Sequence, residues 1–118
     1  MMNAAARRCI RGLDTALERT GELITIARLH DAPDGGQVAF RCENIPAKVQ
    51  LVAPQELTVN LPDSVIIISP TRLAARQWPA PPRRDDRVYI GSLVANIESV
   101  VEHRVNGVVC RYQLSVKS

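Results

Sequence analysis

Leu93-Val94-Ala95-Asn96-Ile97-Glu98-Ser99-Val100-Val101-Glu102-His103-Arg104-Val105, then Asn106-Gly107, then Val108-Val109-Cys110-Arg111-Tyr112-Gln113-Leu114-Ser115-Val116-Lys117 is the stretch that decides the fold. Asn-Gly is the favoured two-residue connection of a β-hairpin, because both residues accept a positive φ. The turn predicts antiparallel pairing of Val105 with Val108, His103 with Cys110, Val101 with Tyr112, Ser99 with Leu114 and Ile97 with Val116. That face is nearly all apolar and is expected to face a core. The opposite face sets Glu102 across from Arg111, an opposite-charge pair suited to an exposed surface. His103 beside Cys110 reads as a partly buried histidine, since two ligands without a nearby carboxylate do not make a zinc site.

The strands around this hairpin follow from pattern. Arg87 to Ile90 precedes it, joined through the turn Gly91-Ser92. Val65-Ile66-Ile67-Ile68 is a continuous β-branched run and predicts a strand buried on both faces. Leu23 to His30 and Gln37 to Glu43 are two more strands, separated by the turn-rich Asp31-Ala32-Pro33-Asp34-Gly35-Gly36. Val38, Phe40 and Cys42 share one face; beyond Pro46 the apolar set is Ala47, Val49 and Leu51. Side chains alternate faces, so this change of parity requires a bulge or bend near Asn44-Ile45-Pro46.

Asn3 to Thr20 is expected to be a helix, with Ile10, Leu13 and Leu17 on one face and Gly21 as a left-handed cap. Gly12 weakens its middle, and Asp14 is placed to cap a shorter helix. Arg7, Arg8 and Arg11 crowd the first turns, where the positive end of the helix disfavours them. They read as a frayed, solvated start or as a basic arm for an acidic partner.

Between the strands lie two unusual segments. In Ile68 to Asp86, Ser69 is a fitting N-cap and Pro70 a fitting first helical residue. The helix is expected to last to about Gln77, with Pro79 forcing its end and Trp78 plugging a core edge. Ala80 to Asp86 is proline-stiffened, and Asp85 and Asp86 are read as an outer pair balanced by the arginines around them. Arg83, Arg84 and Arg87 form a basic cluster suited to phosphates rather than to bases, since Trp78 is the one aromatic residue nearby. Ala53 to Ser64, with Pro54 and Pro62 near its ends, reads as a long loop, and long loops in compact domains tend to be functional or mobile.

The expected architecture is mainly β (α+β): a small β-barrel or sandwich of about six strands, with an N-terminal helix, a short internal helix and long loops. The 118 residues are 46% hydrophobic and 23% charged, which suits a single globular domain over 1–118. Aromatic residues are only 3%, so the core must be aliphatic, and the net charge of +3 permits a nucleic-acid neighbour without requiring one. Cys9, Cys42 and Cys110 are odd in number and far apart, and read as buried reduced thiols. No apolar run reaches membrane-spanning length, and the arginines near the start are followed by no secretory core. No nucleophile elbow, phosphate loop, dinucleotide fingerprint or metal spacing occurs, so neither catalysis nor a cofactor is expected.

Several residues in order carry a likeness: Leu13-Asp14-Thr15-Ala16-Leu17 with Gly21-Glu22 and Thr25-Ile26; Pro54-Gln55-Glu56-Leu57; Ile68-Ser69-Pro70-Thr71-Arg72-Leu73-Ala74-Ala75 with Trp78-Pro79 and Pro81-Pro82-Arg83-Arg84-Asp85-Asp86; and Val109-Cys110-Arg111-Tyr112-Gln113-Leu114. With these the sequence resembles a family of small tailed-bacteriophage proteins of the head–tail junction. Relatives often have glycine where Arg76-Gln77 stands, glycine at Asp85 or Asp86, and a glycine-rich segment in place of Thr58-Val59-Asn60-Leu61-Pro62.

The resemblance implies a head-completion, or stopper, protein: structural, non-enzymatic, made in the host bacterial cytoplasm and placed in the virion neck. It implies a ring of copies following the symmetry of the portal. The ring would meet the portal or an adaptor on one side and a tail-completion or tail-tube protein on the other, with no membrane. Ala53 to Ser64 is expected to project into the lumen and Trp78 to Asp86 to touch a neighbour. The interface candidates are thus Pro54, Gln55, Glu56, Leu57, Trp78, Pro79, Arg83 and Arg84, and the DNA-facing candidates are Arg83, Arg84 and Arg87. A tail-completion or portal-adaptor role at the same junction stays open, although an adaptor would call for more helix. So does a small-barrel nucleic-acid-binding module.

Overall fold

The computed structural model describes residues 3–31, 37–51, 64–78 and 81–117. The elements run α1 (Ala4–Thr20), β1 (Glu22–Asp31), β2 (Gln37–Leu51), β3 (Ser64–Ile68), α2 (Thr71–Ala75), β4 (Arg87–Ile90), β5 (Leu93–Val105) and β6 (Val108–Lys117). The strands close into a barrel in the order β1-β2-β3-β6-β5-β4, with every pair between described neighbours antiparallel. The interior is aliphatic: Ile24, Ile26, Ile45, Ile66, Ile68, Ile97 and Leu114 are all buried, and Tyr112 is the aromatic residue among them. β3 alternates buried Ile66 and Ile68 with half-buried Val65 and Ile67, so it is covered fully on one face only. The β-branched run reflects strand propensity more than two-sided burial.

The parity change in β2 is a bulge. Ile24 pairs with Ile45, but Ile26 pairs with Cys42, so β2 advances three residues while β1 advances two. Asn44 has φ 57° there, a conformation asparagine tolerates better than most residues. Cys42, Ile45 and Ala47 can therefore all point inward and are fully buried.

The β5–β6 hairpin has its expected turn, with Asn106 at φ 50° and Gly107 at φ 83°, and Val105 pairs with Val108. Its expected register does not hold beyond the tip. His103 pairs with Arg111, Glu102 with Tyr112, Val101 with Gln113, Val100 with Leu114 and Ser99 with Ser115 before Ile97 meets Val116 again. Register shifts between His103 and Arg104 and between Ile97 and Ser99 offset each other. Across the interval β6 keeps Cys110, Tyr112 and Leu114 buried, whereas Val101 of β5 turns outward and is 48% exposed. Val100 packs against the core in its place. His103 consequently lies against Arg111, whose Nη2 is 3.3 and 3.2 Å from its ring nitrogens, and not beside Cys110. Glu102 pairs with Arg104 at 2.6 Å instead of with Arg111.

α1 runs from the tip of this hairpin to β2. Asn3 caps it: its Oδ1 accepts the Ala6 N–H at 2.7 Å, and its Nδ2 donates to the Val105 carbonyl at 3.5 Å. The start is thus capped and tied down rather than frayed. Ala6 and Ile10 bury against Cys110, with Val105 and Val108 packed around them. The helix continues through Gly12. Asp14 caps nothing; it accepts a hydrogen bond from Thr71 Oγ1 at 2.7 Å and so joins α1 to α2. Gly21 is extended (φ −82°, ψ 176°) and not left-handed. Glycine is needed there for space, because a Cβ would lie 2.5 Å from the Ala47 carbonyl oxygen and 2.6 Å from that of Leu17.

β3 has 5 residues, against 15 in β2 and 10 in β6. The chain leaves the sheet after Ile68, and Leu73 of α2 joins the core cluster. α2 starts at Thr71, one residue later than the proline rule suggests, with the Thr71 N–H donating to Ser69 Oγ at 3.3 Å. It also ends before Gln77. Gln77 takes φ 53°, its N–H donates to the Ala74 carbonyl at 3.1 Å, and the Trp78 N–H donates to the Leu73 carbonyl at 2.9 Å. This is a Schellman ending with glutamine in the position usually given to glycine.

Candidate functional site

Ile24, Ile26 and Arg28 occupy successive inward positions of β1, and all three are buried. A guanidinium inside a barrel needs partners. Arg28 Nε donates to Asp86 Oδ1 at 2.8 Å and Arg28 Nη2 to Asp86 Oδ2 at 2.8 Å, a two-toothed pair. Nη2 also donates to the Pro81 carbonyl at 3.0 Å. The guanidinium stands 5.3 Å from the centre of the Trp78 ring, within reach of its π-face.

Asp86 organises the loop as well. Its Oδ2 accepts the Arg83 N–H at 2.9 Å, while its own N–H donates to the Arg83 carbonyl at 3.2 Å. The Ile97 N–H donates to the Asp86 carbonyl at 2.8 Å, and the Asp85 N–H donates to the Ile97 carbonyl at 2.9 Å. The loop before β4 is therefore fastened to β1 through a charge pair and to β5 through its main chain. Asp85 turns outward with φ 75°.

The expected outer, charge-balanced Asp85–Asp86 pair is thus corrected: Asp86 is 2% exposed and spent on Arg28, leaving Asp85 alone outside. Arg83, Arg84 and Arg87 are exposed and line one basin together with Arg28, Asp85, Asp86 and Asn96. Trp78 is half-buried on the core edge, as its plug reading expects. Arg28 stacks on the ring, which limits its use as a platform for bases. Pro54, Gln55, Glu56, Leu57 and Pro79 lie outside the described residues, as does the rest of 52–63.

The sequence reading missed Arg28. Its signal was present, since an arginine two residues beyond Ile26 continues the inward parity of an apolar strand and demands a buried acid.

A second basic surface lies on α1, where Arg8 and Arg11 are exposed. Among the described residues no group of three or more histidine, cysteine or acidic side chains is placed to hold a metal ion. No helix among them is long and apolar enough to cross a membrane. The thiols are free; Cys42 and Cys110 are buried, but Cys9 is exposed, which corrects its reading as a buried thiol. Burial pushes the Cys42 thiol up, against the pull of Arg76 and Arg72, and burial raises the Tyr112 phenol. No protein-family model, curated protein or solved structure matches the chain.

Proposed function

We propose that this protein is a structural, non-enzymatic part of a tailed-virus neck. Copies of it form a ring between portal and tail that retains packaged DNA and receives the tail. The supporting observation is how the residues bearing the family likeness are used. Thr71 is bonded to α1, Trp78 sits on the core edge, and Asp86 is locked to Arg28. These contacts hold Arg83, Arg84 and Arg87 outward on a fixed loop. A rigid basic ledge on a small barrel suits docking and phosphate contact, and it requires no reacting group. The deciding experiment removes the coding sequence from the virus that carries it. Filled heads that lose DNA and lack tails are expected, with restoration by the intact gene in trans. A normal yield of infectious particles without the gene overturns the proposal.

The exposed arginine ledge also favours a second reading, a nucleic-acid-binding module acting outside any neck. That reading requires binding by a free monomer, whereas the neck role requires recruitment to portal complexes.

A further inference from the structure

The outward side of α1 carries charge that the fold does not use. Ala6, Ile10 and Leu17 are its buried residues and face the barrel. At about 100° per residue, Arg8, Arg11 and Arg19 fall on the opposite side, and all three are exposed. Ala4, Gly12 and Thr15, also exposed, lie between them, so nothing bulkier than threonine separates the arginines. Glu18 borders the strip two turns beyond Arg11. Among the described residues neither it nor any of the three arginines makes an ion pair. Arg8 and Arg11 are three residues apart, a spacing at which like charges destabilise a helix. They also stand toward its positive end. The strip therefore contributes nothing to holding α1 together.

We propose that this strip binds the phosphate backbone of duplex DNA, as a surface separate from the arginine basin before β4. The chemistry selects the partner. Interfaces with nucleic acid are polar and strongly positive. A protein interface is built around apolar and aromatic residues, which the strip lacks. It also has no aromatic ring on which an unstacked base could lie, so a single strand is not its ligand. The apolar side of α1 is taken up by the barrel and is not free to enter a lipid surface. Arg8 and Arg19 are about 16 Å apart along the axis, a length over which one strand of a duplex presents about five phosphates. The small residues between them let that ridge approach the helix closely. α1 packs chiefly on β6 and β2, the two neighbours of β3, whereas Arg87 of β4 and Asn96 of β5 line the basin. β3 and β4 are three strands apart in a six-stranded barrel, so the two basic surfaces occupy opposing walls. A duplex lying along α1 thus faces away from the basin. The inference goes beyond the neck role, which is decided separately by removal of the gene.

The test measures binding of the full-length protein to a short labelled DNA duplex over a salt series. Joint replacement by Arg8→Gln, Arg11→Gln and Arg19→Gln should weaken binding and lower the magnitude of the slope of log K against log salt by about 2–3. Its Tm should not fall, because repulsion within the helix is removed. Arg8→Lys, Arg11→Lys and Arg19→Lys together keep the charge and should keep the slope. A control that loses the same charge at scattered exposed positions, Arg41→Gln, Lys48→Gln and Arg104→Gln, should keep it too. The fall should add to that caused by replacing Arg83, Arg84 and Arg87. An unchanged slope in the α1 glutamine variant overturns the proposal, as does an equal fall in the scattered control. A fall that disappears when the basin arginines are already replaced overturns the separate surface. So does loss of binding to polyglutamate with duplex binding intact, which would assign the strip to an acidic protein.

Discussion

Arg28 and Asp86 form a two-toothed ion pair, their side chains 7% and 3% exposed, between the first strand of the barrel and the loop that precedes the fourth. Removing Asp86 takes the two-toothed counter-charge away from a buried guanidinium. Asp86→Ala is expected to cost about 3–5 kcal/mol, whereas joint replacement by Arg28→Met and Asp86→Leu should recover much of that loss. Urea unfolding of the single and paired variants measures both. A loss below about 1 kcal/mol for Asp86→Ala would contradict the buried pair as the fastening of the loop.

Gln77 ends α2 in the left-handed region, where a Cβ is unfavourable. Gln77→Gly should therefore raise stability by about 1 kcal/mol. Gln77→Ala, which keeps the Cβ, should not. Thermal melts of the two variants decide, and an equal or lower Tm for the glycine variant counts against the Schellman ending.

The three groups with raised pKa values predict alkaline weakening. Cys42 and Cys110 are raised above 9.0, and Tyr112 above 10.0, chiefly by burial. Each holds its proton more tightly folded than unfolded. The stability this contributes is complete below the unfolded pKa. It is lost as pH rises from there toward the folded pKa, because the unfolded chain sheds the proton first. Denaturation midpoints should be lower at pH 10.5 than at pH 8, and Cys42→Ala should reduce the slope. A flat profile across that range would show that the thiols and the phenol ionise freely in the folded protein.

Arg83, Arg84 and Arg87 are exposed around one basin, so their joint replacement by alanine should leave folding intact and weaken binding to duplex DNA. The slope of log K against log salt should fall in magnitude by about 2–3, one phosphate for each arginine engaged. Fluorescence anisotropy with a short duplex over a salt series gives the slope. An unchanged slope removes these residues from any DNA contact.

How far pattern reading reached depended on whether apolar residues sat on one parity or on both. In β2 the apolar set moved from Cys42 to Ala47, and a bulge at Asn44 accommodates the shift. In β5 the adjacent Val100 and Val101 are both apolar, so either can fill the core, and the paired register shifts left no trace in the sequence. Local rules placed the helix starts within one residue but misjudged Gly21. Its requirement is closeness to Ala47 of β2, which no local rule sees. The basic ledge was legible as composition. Its fastening was not, because Arg28 and Asp86 are far apart in the chain and meet only when the barrel closes.

Closure of the six strands has a consequence for assembly. Every strand has a neighbour on both sides, but β3 and β4 are short, so that among the described residues 37–46 of β2 and 98–105 of β5 are paired on one side only. The barrel is edge-free where β3 and β4 run and keeps open main chain on the longer strands beyond them. Contacts between side chains elsewhere on the surface can be undone one substitution at a time without unravelling the subunit. Association through such contacts would be separable from folding.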